Sequence, residues 1–371
     1  MEDRKIRVAI THGDTNGIGY EVIFKTFAEP EMLELCTPII YGSPKVAAYH
    51  RNALGIQANF TIINKVEDAQ DGKVNLLTAF DEDVKVEMGQ PAKEAGAAAL
   101  KALDRAMEDF SAGGYDVLVT APINKNDIHG DNFQFSGHTE YIEDKVGNGD
   151  KALMILAGRT LRVALVTTHL PVKDIAGAIT KEAIVEKCTI FSKALHRDFN
   201  VASPRIAVLS LNPHAGDGGV IGSEEETIIK PAIAELSETG IDAFGPFAAD
   251  GFFGQGAYAS FDGVLAMYHD QGLAPFKAIV GGEGVNITAG LPIVRTSPDH
   301  GTAYDIAGKG VADETSFRQA VYDAIDIFRN RQNYDEPLAN PLPKLYHERR
   351  DDSEKVRFSV PKAKAKPATE G

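Results

Sequence analysis

From Ile6 to about residue 330 the chain alternates short apolar runs with stretches of helical period, and no other feature restricts the possible folds as much. Ile6–Ile10, Pro38–Tyr41, Phe60–Ile63, Val74–Thr78, Tyr115–Thr120, Arg205–Leu211, Gly263–Tyr268, Val285–Thr288 and Ile293–Thr296 read as strands. Between them lie helical patterns at about Tyr20–Phe27, Ser43–Leu54, Pro91–Ala112 and Glu182–Arg197. In the clearest, Leu100, Leu103, Met107 and Phe110 share a core-facing stripe, with Pro91 near the start and Gly113-Gly114 at the end. Phe317, Val321, Ala324, Ile325 and Phe328 mark a last amphipathic helix. Lys151–Leu156 and Leu161–Thr168, joined through Gly158 to Thr160, suggest a hairpin. Ser223 to Glu226 forms a capping-box pattern opening a helix that Gly240 closes and Pro231 kinks or restarts. Strands alternating with helices in this way predict an α/β fold: a mostly parallel sheet with helices on both faces. After Glu336 the periodicity stops and prolines mix with charged residues, so 336–371 is expected to be a tail, pinned at Leu342, Leu345 and Tyr346.

A length of 371 residues favours two domains or one large one. The net charge of −15 repels phosphate backbones and anionic lipid, which argues against nucleic-acid and membrane partners. No apolar run approaches the roughly 20 residues needed to span a bilayer, and the charged start lacks the apolar stretch of a signal peptide. Cys36 and Cys188 are far apart and in no metal-binding spacing, and Cys188 falls on an apolar helical stripe. These features together predict a cytoplasmic protein.

Three histidines occupy equivalent places. His169 ends the run from Val163, His214 lies just past the run from Ile206, and His269 ends the run from Val264. Ligands of open α/β sheets bind outside the carboxyl ends of strands, so three neighbouring strands would deliver three imidazoles to one edge. Imidazole is the commonest metal-binding side chain, and three protein ligands leave a catalytic metal open to substrate. Asp174, Asp217 and Asp270 are placed to orient the rings. The alternative is that each histidine only caps a loop. A second group is polar and basic: His138, Thr139, Lys277, Asn286 and Arg295. Arg295 ends an expected strand and suits bidentate capture of phosphate or carboxylate. Lys277 follows His269 by eight residues and is the candidate for proton transfer. The loop Gly13, Gly17, Gly19 follows the first strand, where a phosphate cradle would lie. It fails the dinucleotide fingerprint, because Val22 stands where the third glycine belongs, and it lacks a Walker lysine. A tight turn fits it equally well.

Several segments resemble the 4-hydroxythreonine-4-phosphate dehydrogenase family. They are Gly13-Asp14 with Gly17 to Gly19, Ser136 to Glu140, Thr168 to Pro171, Leu211 to Gly216, Ala266 to Leu273, Gly284 to Thr288, and Arg295 to Thr302. They run in order over roughly residues 6–330. The resemblance implies an isocitrate/isopropylmalate-dehydrogenase-like fold of two α/β/α domains with the site in the cleft between them. The first domain would span 1–135 plus about 285–335, and the second about 136–284. It implies a homodimer whose metal site is completed across the interface, and NAD, or NADP, bound without the Rossmann fingerprint. It makes His169, His214 and His269 the ligands of one divalent metal (zinc, magnesium or cobalt) and His138, Thr139, Lys277, Asn286 and Arg295 the substrate-binding set. The implied reaction is oxidative decarboxylation of 4-phosphohydroxy-L-threonine to 3-amino-2-oxopropyl phosphate, CO2 and NADH. Related enzymes on this pattern take phosphorylated threonate or erythronate. The first loop departs from the family, which usually has proline where His12 and Thr15 stand and another residue at Tyr20. Two other classes remain open: a phosphate acyltransferase of similar architecture, and a metal-binding protein without catalysis.

Overall fold

The computed structural model describes residues 4–81, 83–129, 134–135 and 137–341. Ser136 and the expected tail anchors Leu342, Leu345 and Tyr346 lie outside them. Twelve strands form one sheet. In chain order they are β1 (Ile6–Thr11), β2 (Cys36–Gly42), β3 (Thr61–Ile63), β4 (Asn75–Thr78), β5 (Val117–Thr120) and β6 (Leu153–Ala157). β7 (Arg162–Leu165), β8 (Arg205–Leu209), β9 (Asp242–Phe247), β10 (Gly263–Ala266), β11 (Val285–Ala289) and β12 (Val294–Pro298) follow. The order across the sheet is β3-β4-β2-β1-β5-β12-β11-β6-β7-β10-β8-β9. Helices packed over both faces explain why β2 is buried at every position: strands covered twice read as unbroken apolar runs.

The expected α/β class is met, and the sheet is mostly parallel, but its centre is not. β11 runs antiparallel to both β12 and β6, and β6 antiparallel to β7, the expected hairpin. The strands from β3 to β12 therefore point one way, while β7, β10, β8 and β9 point the other. The reversal puts the middle of the sheet, rather than one continuous row of strand ends, at the junction of the two halves.

Most misplaced boundaries trace to proline and glycine. The strand expected at Gly263–Tyr268 stops at Ala266, and His269 opens a helix, His269–Val280, with Pro275 inside it. The final helix, Thr315–Ala339, likewise runs through Pro337 and past the expected start of the tail. The expected capping box does not form. Ser223 offers its carbonyl, which accepts from Glu226 N and Thr227 Oγ1. A π-helical turn, Glu225–Ile229, leads into the helix Lys230–Glu238, where Pro231 sits in the first turn, the only place its missing N–H costs nothing. Cys36 and Cys188 are both buried free thiols.

The first loop is closed on itself. A methyl group on Gly13 would meet Pro122 O at 2.3 Å, and one on Gly19 would meet His12 O at 2.1 Å. These glycines serve close backbone packing, as a tight turn requires. The residues that depart from the family pattern are buried here: the Tyr20 ring stacks between His12, at 5.2 Å, and His50, at 5.0 Å. Burial pulls the His12 and His50 imidazoles down to about 4, so both are neutral near pH 7. His50 Nε2 lies 2.7 Å from Thr15 O, fixing the loop from behind.

Candidate active site

One cavity of about 280 Å3 gathers most of the residues singled out in the sequence: His138, Thr139, His169, Lys277, Asn286 and Arg295. Its floor is the antiparallel centre of the sheet. The register aligns Met154 with Thr288 and Arg295, and Leu156 with Asn286 and Ser297, so these side chains share one face. Arg295 was expected at a strand end; it is the second residue of β12 and stands on this face.

Arg295 is 3% exposed. Its Nε and Nη2 donate to Thr120 Oγ1 (3.1 and 2.6 Å) and its Nη1 to Thr288 Oγ1 (3.2 Å). Thr288 Oγ1 in turn lies 3.5 Å from Thr139 Oγ1. Among the described residues no carboxylate pairs with Arg295. Burial lowers its guanidinium to about 10, which still leaves it charged near neutrality. His138 opens the helix His138–Val146. Burial first, then the Arg295 and Lys125 cations, hold its imidazole well below its ordinary value, so it is neutral.

Lys277 Nζ lies 2.9 Å from Asp299 Oδ1 and 3.2 Å from Asp299 O. Burial raises the Asp299 carboxyl, and Lys277 works against that rise. Asp299 lies in the segment Arg295 to Thr302, where the sequence alone assigns it no role. Lys125 had been missed altogether: its Nζ is 3.1 Å from His169 Nε2. Glu140 Oε1 is 3.6 Å from His169 Nδ1, and that contact depresses its carboxyl. No regular spacing marks either residue, because Lys125 sits on a four-residue helical turn, Lys125–Ile128. Glu140 Oε2, Asn286 Oδ1 and His300 Nε2 are buried around this cavity without hydrogen-bond partners.

The three histidines do leave adjacent parallel strands β7, β10 and β8 on one side. His169 and His269 come together, with ring centroids 6.1 Å apart. His269 Nδ1 is 2.7 Å from Asp270 Oδ1, which leaves Nε2 free; Asp174 and Asp217 orient no histidine among the described residues. His214 lines a different cavity, with Asn212, Tyr268 and Gln271. It begins six successive residues at positive φ, from His214 (54°) to Gly219 (99°). Three of these are not glycine, a strained run that concentrates at functional sites. Glu225 anchors the loop, accepting from Leu211 N (2.9 Å) and Asn212 N (2.7 Å). Within one chain, no group of three or more His, Cys, Asp or Glu side chains among the described residues could hold a metal.

A family model described as pyridoxal phosphate biosynthetic protein PdxA matches residues 34–324. A 4-hydroxythreonine-4-phosphate dehydrogenase from Bacteroides thetaiotaomicron is 62% identical over 360 residues, 97% of this chain and 99% of that protein. One from a Sulfurihydrogenibium species is 41% identical over 88% of this chain and 100% of its own length. The crystal structure of the Klebsiella pneumoniae 4-hydroxythreonine-4-phosphate dehydrogenase superposes with a TM-score of 0.76 at 32% identity, covering 88% of this chain and 99% of that one.

Proposed function

The chain belongs to the pyridoxal phosphate biosynthetic protein PdxA family, and on that premise we propose that it is a dehydrogenase of 4-phosphohydroxy-L-threonine. It would oxidise the C3 alcohol with NAD and release CO2, giving 3-amino-2-oxopropyl phosphate and NADH. The observation that carries this reading is Arg295: a buried cation with hydroxyl partners and no carboxylate, in a protein of net charge −15. A desolvated, unpaired charge costs several kcal/mol. An anionic substrate group resting on Arg295 offsets that cost, and the hydroxyls of Thr120 and Thr288 hold the fork in place to receive it.

The paired His169 and His269 imidazoles fit part of a divalent-cation site, and nitrogen donors favour zinc or cobalt over magnesium. His214 would complete the set across a homodimer interface. A cation held there would polarise the C3 alcohol and the carbonyl that replaces it. NAD would enter as a second substrate. Lys277, ion-paired with Asp299, would give a proton to C2 as CO2 departs. Neutral His138 would orient the substrate by hydrogen bonding without adding charge.

The test is NADH formation from 4-phosphohydroxy-L-threonine, with and without a chelator, beside phosphorylated threonate and erythronate. Turnover that is greatest on the amino substrate and abolished by chelation is expected. Preference for a hydroxy analogue would overturn the substrate, and full activity in chelator would overturn the metal.

A further inference from the structure

We propose that the chain's own segment 342–346, Leu-Pro-Lys-Leu-Tyr, which lies outside the described residues, docks in an apolar groove beside the end of the final helix. The inference is independent of the dehydrogenase reading. The groove, of about 550 Å3, lies between the helix Lys93–Ser111, the starts of β5 and β12, and the last turns of the helix Thr315–Ala339. Phe110, Tyr115, Pro292, Val294 and Phe328 make its apolar wall. Phe110 and Phe328 are only half-buried, so aromatic surface is left open there. Covering such surface is favourable, and a segment joined to the groove by a few residues loses little loop entropy in doing so.

The first support is where the chain leaves. The final helix ends at Ala339, three residues past Glu336, which lines the groove. From Ala339 back to Phe328 the helix rises about 16 Å. Six extended residues reach about 20 Å, so 341–346 is long enough to return along the groove as far as Phe328. Within that reach the sequence offers three large apolar side chains, Leu342, Leu345 and Tyr346.

Charge is the second support. The groove carries three carboxylates, Asp116, Asp335 and Glu336, and two guanidiniums, Arg197 and Arg331. Asp116 pairs with Arg4, Asp335 with Arg197, and Arg331 with Asp198. Glu336 alone keeps no partner among the described residues, and Lys344 is the cation that the docked segment would bring beside it. An exposed pair of this kind is weak, so the apolar side chains carry the docking and the lysine helps to set its register. The wider balance favours the same occupant. Residues 342–371 hold eight Lys and Arg against five Asp and Glu, so this segment carries +3 and the remainder of the −15 chain carries −18. Opposite net charges draw the segment towards the body it leaves.

The test uses the full chain. In the parent, hydrogen exchange at the amides of 344–346 should be at least about tenfold slower than at those of 355–366. A variant carrying Leu342→Ser, Leu345→Ser and Tyr346→Ser should lose that difference and melt about 2 °C or more below the parent. These substitutions lie outside the described fold, so they leave its core intact. Position is read separately with a short bifunctional thiol reagent on Asn333→Cys/Tyr346→Cys, since Asn333 lines the groove and the native thiols Cys36 and Cys188 are buried. A cross-link within one chain is expected. Lys181→Cys/Tyr346→Cys should give none, because Lys181 is at the far end of the helix Lys181–Arg197, about 24 Å from the groove. Exchange at 344–346 as fast as at 355–366, or equal cross-linking from Lys181→Cys, would overturn the docking. Cross-links that join two chains would overturn the assignment to the chain's own tail and give the groove to a second copy.

Discussion

Arg295 separates two quantities that usually move together, binding and stability. As an unpaired buried cation it is costly in the empty protein and valuable once an anion arrives. Arg295→Met should therefore reduce kcat/KM by about 100- to 1,000-fold, the loss expected when one partner of a buried charge pair is removed, about 3–4 kcal/mol. Urea unfolding of the same variant should show stability unchanged or raised by up to about 2 kcal/mol, because an apolar side chain replaces a desolvated charge. A loss of stability larger than about 1 kcal/mol would mean that the guanidinium holds the fold together and is not kept for a ligand. Arg295 could be named from sequence because a cation near a strand end is conspicuous in an acidic chain. The partners that define its role could not. Thr120 is 175 positions away and gave no signal of its own. Lys125, on a single helical turn, looked like any solvated lysine.

Elements were legible where period and flanks agreed and illegible where a breaker residue sat inside a packed helix. The helix Lys93–Ser111 lies within the expected stretch from Pro91 to Ala112. The helix His269–Val280 was missed because Gly272 and Pro275 argue locally against it. Packing overrides them. Leu273 and Phe276 are buried, and a methyl group on Gly272 would come within 2.7 Å of Val163 Cγ1, so glycine is what lets this helix lie against β7. The first loop shows the same logic at Gly42, the last residue of β2. A methyl group there would lie 2.3 Å from Tyr20 Oη and 3.1 Å from His12 Cδ2. Overpacking of this kind costs about 1–3 kcal/mol. Gly42→Ala should destabilise by about that amount. In a Tyr20→Phe background, where the nearest atom is gone, its cost should fall by at least about 1 kcal/mol, a coupling that a double-mutant cycle in urea can measure. Additive effects would show that Tyr20 does not set the requirement for glycine at Gly42.

At the scale of the molecule, the sequence conveyed the layers but not the direction of the strands. Periodicity records which residues are buried, and it is the same for a strand running up or down. The reversal at β11, β6 and β7 therefore appears only in three dimensions, and it moves the site from a row of strand ends onto the face of the sheet. The same geometry bears on the third histidine. His169 and His269 meet in one chain while His214 opens onto another cavity, so the proposed three-imidazole site would draw its third ligand from a second copy. Each of the two loops exposes apolar side chains: Leu170 and Val172 (85%) follow His169, and Val220 (81%) and Ile221 follow His214. Exposed apolar side chains clustered next to functional loops mark interaction surfaces. A charge at the centre of such a surface is desolvated in the dimer and free in the monomer, so Val220→Glu acts on association with little effect on the folded chain. The parent should be a dimer by light scattering and should carry bound divalent metal. Val220→Glu should shift towards monomer, lose metal in proportion, and lose at least about 90% of its activity at low protein concentration, with partial recovery as concentration rises. A variant that stays dimeric with metal and activity intact would remove this surface from the interface. A monomeric parent that holds one metal per chain would show instead that His214 reaches the other two histidines within its own fold.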